Sequence, residues 1–245
     1  MTNSQRITRR DFLHGAGTAA AILVAGPTFA FEPLEASPQA LRIGIIGSGQ
    51  MGGAVGIKWA HAGHQVFFSS RNPDQLAGLV AKAGPNAQAG LPDAAARFGE
   101  VVVIAVPYGA LPQVGQDYGL LMQGKVVIDL GNPREDRDGP VAADAIERGT
   151  GVASAGYLPG VRLVRALNAV SFREVQDAPR SPLRVGVPIA GDDREAVEVA
   201  TRLVEDSGFE PVFVGGLARA REFDRGTSVY VRGLSAAEIR DALDL

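Results

Sequence analysis

The stretch Ile43-Gly44-Ile45-Ile46-Gly47-Ser48-Gly49-Gln50-Met51-Gly52 decides how the rest of the chain is read. An apolar run with the character of a buried strand enters Gly-x-Gly-x-x-Gly directly, and a helix-like stretch follows through Ala60. In that setting Gly47 permits a tight turn, Gly49 lets backbone approach a pyrophosphate, and Gly52 lets helix and strand pack closely. The helix N-terminus turns unpaired N–H groups and a partial positive charge toward phosphate. A glycine-rich turn alone can be only a turn. The strand before it, the helix after it and a second strand beyond make dinucleotide binding the expectation.

The second strand bears on which nucleotide. Gln65-Val66-Phe67-Phe68-Ser69-Ser70 is apolar and β-prone, and it ends 18 residues beyond Gly52. An NAD site usually carries Asp or Glu there to accept hydrogen bonds from ribose hydroxyls. This chain has Ser69, Ser70, Arg71 and Asn72 instead. A carboxylate would repel a 2′-phosphate, whereas Arg71 can pair with it and the serines can donate to it. NADP is therefore expected over NAD; the plainer alternative makes Arg71 a solvated loop residue before Pro73.

The 245 residues provide ample material for a core, and 46% hydrophobic with 21% charged residues is an ordinary globular balance. A net charge of −3 gives no basic footprint for nucleic acid, and the absence of Cys excludes disulfides, thiol catalysis and thiolate-bound metal. Thr8-Arg9-Arg10-Asp11-Phe12-Leu13, the small-residue stretch Gly15 to Ala25 and Thr28-Phe29-Ala30 together resemble a twin-arginine export signal. Residues 1–30 are thus read as that signal, 31–40 as a Pro-containing linker, and 41–245 as one NADP-binding domain. The expected location is periplasmic, or cytoplasmic if the signal does not function. Because that export route carries folded proteins, the nucleotide is expected to travel already bound.

Strand and helix signals alternate from there on. Val101 to Val106 and Lys125 to Leu130 read as strands buried on both faces. Further strands are expected over Val161 to Leu167, Arg184 to Ala190 and Pro211 to Val214. Helices are expected over 74–83, 92–98 and 111–121, then up to Ser207 after a cap at Asp192 or Asp193, and over 236–243. The charge run Arg134 to Asp138 reads as a solvated loop. This alternation predicts an α/β fold, a Rossmann-type doubly wound, mainly parallel sheet in a single domain.

Ligands of such sheets lie beyond the carboxyl ends of the strands. The strand ends supply Ser48 and Gln50, Ser70 to Asn72, Pro107 and Tyr108, Asn132 and Pro133, and Asn168. His61 and His64 fall at the opposite end and read as surface or turn residues. No metal-ligand spacing and no nucleophile–histidine arrangement is found. A nucleotide site poor in acids suits hydride exchange between two flat rings, where positioning does most of the work. Tyr108 is the one evident proton donor, and packing is its plainer role.

Gly44 to Gly52, Ser70-Arg71-Asn72-Pro73, Ala105-Val106-Pro107, Asp129 to Pro133, Arg165-Ala166-Leu167-Asn168 and Ala190-Gly191-Asp192-Asp193 recur in order and spacing. Together they resemble the NADPH-dependent reductases of coenzyme F420, the deazaflavin-dependent NADP oxidoreductases. The resemblance implies phosphates at Ser48 to Met51, a 2′-phosphate at Ser70 and Arg71, nicotinamide near Val106, Pro107 and Asn132, and a deazaflavin near Asn168. The implied reaction is reversible hydride transfer between NADP(H) and F420. This chain has Arg165 where that family's better-known pattern has Lys. The implied partners are a nucleotide cofactor and a small-molecule or deazaflavin hydride partner, with a homodimer left open. Alternatives are an NADP-dependent reductase of a small organic substrate, such as an imine or 3-hydroxy acid, and a non-catalytic NADP-binding module. A ferric or cupric reductase acting with a membrane partner shares the Ser-Arg-Asn-Pro element.

Overall fold

The computed structural model describes residues 40–178 and 184–245. The expected export signal and nearly all of the expected linker therefore lie outside the described residues. Eight strands form one sheet: β1 (Arg42–Ile46), β2 (Gln65–Ser69), β3 (Ala87–Gly90), β4 (Val101–Ile104), β5 (Val126–Asp129), β6 (Arg162–Ala166), β7 (Gly186–Gly191) and β8 (Glu210–Gly215). Their spatial order is β3-β2-β1-β4-β5-β6-β7-β8. Every neighbouring pair is parallel except β6 and β7. The expected doubly wound, mainly parallel sheet is what the chain forms. Its order reverses between β1 and β4, and a crevice opens at such a switch point in an open α/β sheet.

The strands are apolar on both sides because both sides are covered. Val101 and Val103 of β4 join the cluster around Trp59, Phe68 and Leu203. Val102 and Ile104 face the other layer, with Met122 and Val127. That split follows from the two-residue side-chain period of a strand. On the first face lies helix α1 (Gln50–His61), whose Trp59 is fully buried and donates from Nε1 to the Leu203 carbonyl at 2.8 Å. Helices α2 (Ala77–Ala83) and α3 (Pro92–Phe98) complete the crossovers on either side of β3. A Cβ on Gly44 would sit 2.0 Å from the Ala95 carbonyl oxygen, so only glycine lets α3 lie this close to β1.

After β4 come α4 (Leu111–Met122) and, beyond β5, three consecutive helices: α5 (Glu135–Asp138), α6 (Pro140–Arg148) and α7 (Thr150–Tyr157). The segment 134–138, expected as a solvated loop, is thus partly helical. Arg137 pairs with Asp138, whose side chain is almost wholly buried. The short strand β3 was not expected either, since Ala-Gln-Ala-Gly carries no β-branched residue. Helix α8 (Phe172–Asp177) is opened by a capping box between Ser171 and Glu174. Helix α9 (Arg194–Asp206) takes its cap from Asp193, which accepts from the Ala196 amide at 2.9 Å. Asp192 instead accepts from the Leu217 amide, which resolves the choice between the two. Helix α10 (Ala236–Ala242) closes the chain.

His64, expected as a surface or turn residue, follows the turn after α1 but does not lie at the surface. It is buried, accepts from the Leu41 amide at Nδ1 and donates from Nε2 to Asp206. It ties the start of β1 to the end of α9, at the end of the strands away from the crevice.

Candidate nucleotide site

The crevice at the switch point has two compartments that share Ala105, Val106 and Pro107, just past the end of β4. The first, of about 690 Å³, is walled by the turn after β1, by Ser69 to Arg71 after β2, and by Gln113 to Tyr118 of α4. Gly47 has φ +95°, and a Cβ there would meet the Val106 side chain at 2.7 Å. Gly52 lines neither compartment; its missing side chain lets α1 approach to where a Cβ would be 2.2 Å from the Gly47 carbonyl oxygen. Around Gly49, by contrast, a Cβ would meet nothing within 4 Å. That open space lies at the N-terminus of α1, which has no side-chain cap and no acid in its first turn. Free amides, a favourable dipole and room for a group the size of a phosphate coincide there. The residues present fit a dinucleotide.

One end of this compartment is fixed by the tip of β2. Ser48 donates its amide to the Ser69 carbonyl, and its hydroxyl accepts the Ser69 amide at 2.8 Å, tying the glycine turn to β2. Ser70 and Arg71 line the compartment, and Arg71 is exposed with no ion pair or hydrogen bond among the described residues. A guanidinium without a carboxylate partner beside a nucleotide-sized cleft is what a 2′-phosphate reader requires. Asn72 does not line the cleft. Its amide donates to the Ser70 hydroxyl, and it opens the turn Pro73–Leu76, so it shapes the loop instead.

The second compartment, of about 770 Å³, is built from Gln50 and Met51, the β4 end, Leu130 to Asn132, Asn168 to Phe172, and Arg225 with Tyr230. Asn132 donates from Nδ2 to the Asn168 carbonyl at 2.9 Å, and Asn168 Nδ2 approaches Asn132 Oδ1 at 3.3 Å. Asn168 is buried, and its Oδ1 finds no partner among the described residues. A buried acceptor left unpaired costs about 1–3 kcal/mol, which a bound N–H donor would recover. The residue before it, Leu167, has φ +60°, a left-handed conformation that disfavours a branched side chain. That turn carries the chain from β6 to Asn168. Val231, φ +51°, is also left-handed and lines this compartment itself.

Behind this compartment lies a buried polar network. Arg165 is fully buried and donates to Asp129 Oδ2 at 2.7 Å and to the Gly131 carbonyl at 2.7 Å. Asp129 also accepts from the Ser154 hydroxyl and, through Oδ1, from the Gly131 amide. Asp224 lies 3.5 Å from Arg165 and accepts from Thr150. Burial pushes the Asp224 carboxyl above its ordinary range, against the pull of Arg165. The network holds the Leu130–Asn132 segment in place.

Tyr108 belongs to that network, not to the cleft. Its ring is buried, its hydroxyl pairs with Ser154 at 2.9 Å, and it lines neither compartment. Burial raises its pKa strongly, with the Asp129 charge adding to the effect. The expectation of Tyr108 as proton donor therefore fails on geometry. Tyr230, which does line the second compartment, stood outside every sequence pattern, as did Arg225.

Residues 42–133 match the model of the family described as NADP oxidoreductase, coenzyme F420-dependent. The F420-dependent NADP reductase of Methanothermobacter thermautotrophicus is 29% identical over 217 residues, covering 82% of this chain and 93% of that one. Metalloreductase STEAP3 of Rattus norvegicus is 29% identical over 195 residues, 78% of this chain, which spans only 37% of that relative's length. Among solved structures, hypothetical protein SMa0349 of Sinorhizobium meliloti superposes with a TM-score of 0.63 at 23% identity, covering 80% of this chain and 93% of that one, a likeness of fold. The Rossmann-type sheet, the glycine-turn cleft and these similarities together support NADP-linked oxidoreduction.

Proposed function

We propose that the chain transfers hydride between NADP(H) in the first compartment and a flat, deazaflavin-type acceptor such as F420 in the second. The observation that carries this reading is the shared wall: Ala105, Val106 and Pro107 border both compartments, so two ligands would meet there. Bound NADPH would supply the hydride. Arg71 and Ser70 bind the 2′-phosphate, and the amides at the start of α1, with Ser48 to Met51 around them, bind the pyrophosphate. Val106 and Pro107 present an apolar surface that excludes water from the meeting point. Asn132 and Asn168 orient the rings by hydrogen bonding, with Asn168 Oδ1 as the acceptor in need of a donor. Transfer between two preoriented rings draws its rate from that positioning.

The test is anaerobic mixing of protein, NADPH and oxidised F420, followed by the loss of deazaflavin absorbance. Turnover supports the reading, and its absence with folded, nucleotide-binding protein refutes it. The similarity to a metalloreductase favours one second reading, reduction of a metal complex. Hydride delivers two electrons and a metal ion accepts one, so that reading requires an intermediary ring such as a flavin. Ferric citrate reduced by NADPH only when FMN is added would support it.

We place the protein in the periplasm, loaded with nucleotide before export, on the strength of Arg9, Arg10 and the small-residue stretch behind them. Cell fractionation of the native chain beside a variant with both arginines changed to lysine tests this. Native protein retained in the cytoplasm would overturn it.

A further inference from the structure

The second compartment has a charge pattern that hydride transfer between uncharged rings does not require. Arg134, Arg137 and Arg225 line it, and no carboxylate does. Two of the three are already matched. Arg134 pairs with Asp136 through both carboxylate oxygens, and Arg137 pairs with Asp138 while donating to the Asn132 carbonyl at 3.0 Å. Arg225 is exposed and donates no hydrogen bond among the described residues. Asp136, the acid on which the Arg225 charge acts, is already held by Arg134, so Arg225 adds positive charge at the mouth of the cavity. The opposite wall, with Met51, Pro107 and Phe172, is apolar.

We infer that the acceptor taken by this compartment pairs a flat apolar ring with a phosphate or carboxylate group, and that Arg225 binds that anion. This rests on the reading of the compartment as the hydride acceptor's site. Guanidinium matches both anions through paired N–H donors. The direction of the anion is also set. A third cavity shares Arg134 and Arg225 with this one, but there Glu135, Asp136 and Asp224 balance Arg134, Arg221 and Arg225. An anionic group gains nothing by entering it and stays at the mouth, beside Arg225.

Calorimetric titration of NADP-loaded protein with F420, and with the ribityl deazaflavin that lacks phosphate and glutamates, tests the inference. The anionic form should bind about tenfold tighter at low salt, with the gap narrowing as salt screens it. In Arg225→Gln the gap should close while NADPH affinity stays unchanged, and Arg225→Lys should restore part of it. Equal binding of the two forms by the native chain overturns the inference, as does a gap that persists in Arg225→Gln. A loss of NADPH affinity in that variant also overturns it, because Arg225 would then serve the nucleotide's own phosphates. If neither deazaflavin binds, the deazaflavin reading itself fails. The arginine is then judged with FMN against riboflavin, which differ by one phosphate. Tighter FMN binding that depends on Arg225 supports the inference, and any other result ends it.

Discussion

The two compartments of the crevice are made in opposite ways. The first owes its shape to side chains that are missing: Gly47 for the turn, Gly49 for open space, Gly52 for the approach of α1. One side of it comes from neighbouring segments, the end of β1, the glycine turn and the tip of β2, and the other from the end of β4 and from α4. The second owes its shape to side chains that are buried and charged, above all Arg165 and Asp129, and to left-handed turns at Leu167 and Val231. Its walls come from segments as far apart as Gln50 and Tyr230. A phosphate site can be encoded locally because backbone amides do the binding. A site that selects a second substrate must be assembled by the whole sheet.

If that contrast holds, damage to the network should be the most severe change. Arg165→Leu leaves Asp129 buried without its cation, which typically destabilises by about 3–5 kcal/mol. Denaturant unfolding measures it, and a loss under about 1 kcal/mol would mean the network does not hold the second compartment. In the first compartment the large effect should be on binding instead. Arg71→Glu should weaken NADPH by about 1.5–3 kcal/mol, by removing a charge-assisted bond and adding repulsion, while NADH binding changes far less. Equal losses for both nucleotides would show that Arg71 does not read the phosphate.

The glycines separate packing from ligand approach. Gly52→Ala places a Cβ against the Gly47 carbonyl and should lower stability by about 1–3 kcal/mol. Gly49→Ala should leave stability within about 0.5 kcal/mol, since a Cβ meets no protein atom, yet weaken NADPH. Tyr108→Phe is expected to lower stability by about 1 kcal/mol and leave turnover unchanged. A large fall in turnover at unchanged stability would return Tyr108 to the chemistry.

The last effect lies far from the cleft. Arg162 and the Ala196 amide hold the Asp193 carboxyl well below its ordinary range. A carboxyl depressed in the folded state stabilises above its unfolded pKa, and that contribution fades as pH falls through the carboxylate range. Asp193→Asn keeps a capping side chain but loses the charge, so its melting temperature should fall less steeply with acid. Identical slopes would assign the acid sensitivity to other groups.

Parallel strands such as Val101 to Ile104 were legible in the sequence because burial on both faces demands an unbroken apolar run. Strand β3 was not, because Ala87 to Gly90 carries no such run and pairs only on the β2 side. The glycine turn could be placed to the residue, since its glycines answer to local backbone geometry. Asn72 sits beside Arg71 in sequence but outside the cleft, a matter of loop direction that adjacency does not reveal. Arg134 and Arg137 looked like solvent charges because a charge run reads the same whether it meets water or a cavity.

By itself, then, the chain determined the strand–turn–helix, the preference for a cation over a carboxylate at the tip of β2, and the layering of the sheet. These follow from short-range sterics, hydrogen bonding and hydrophobic period, all written within a few residues. Only the tertiary structure decided that Tyr108 turns inward, that His64 joins β1 to α9 at the end of the strands away from the crevice, and that Arg225 lines one cavity with Asn168 across 57 residues of chain. Those outcomes depend on which segments the sheet brings together, and the energy of a buried charge or an unmatched guanidinium exists only once its neighbours are in place.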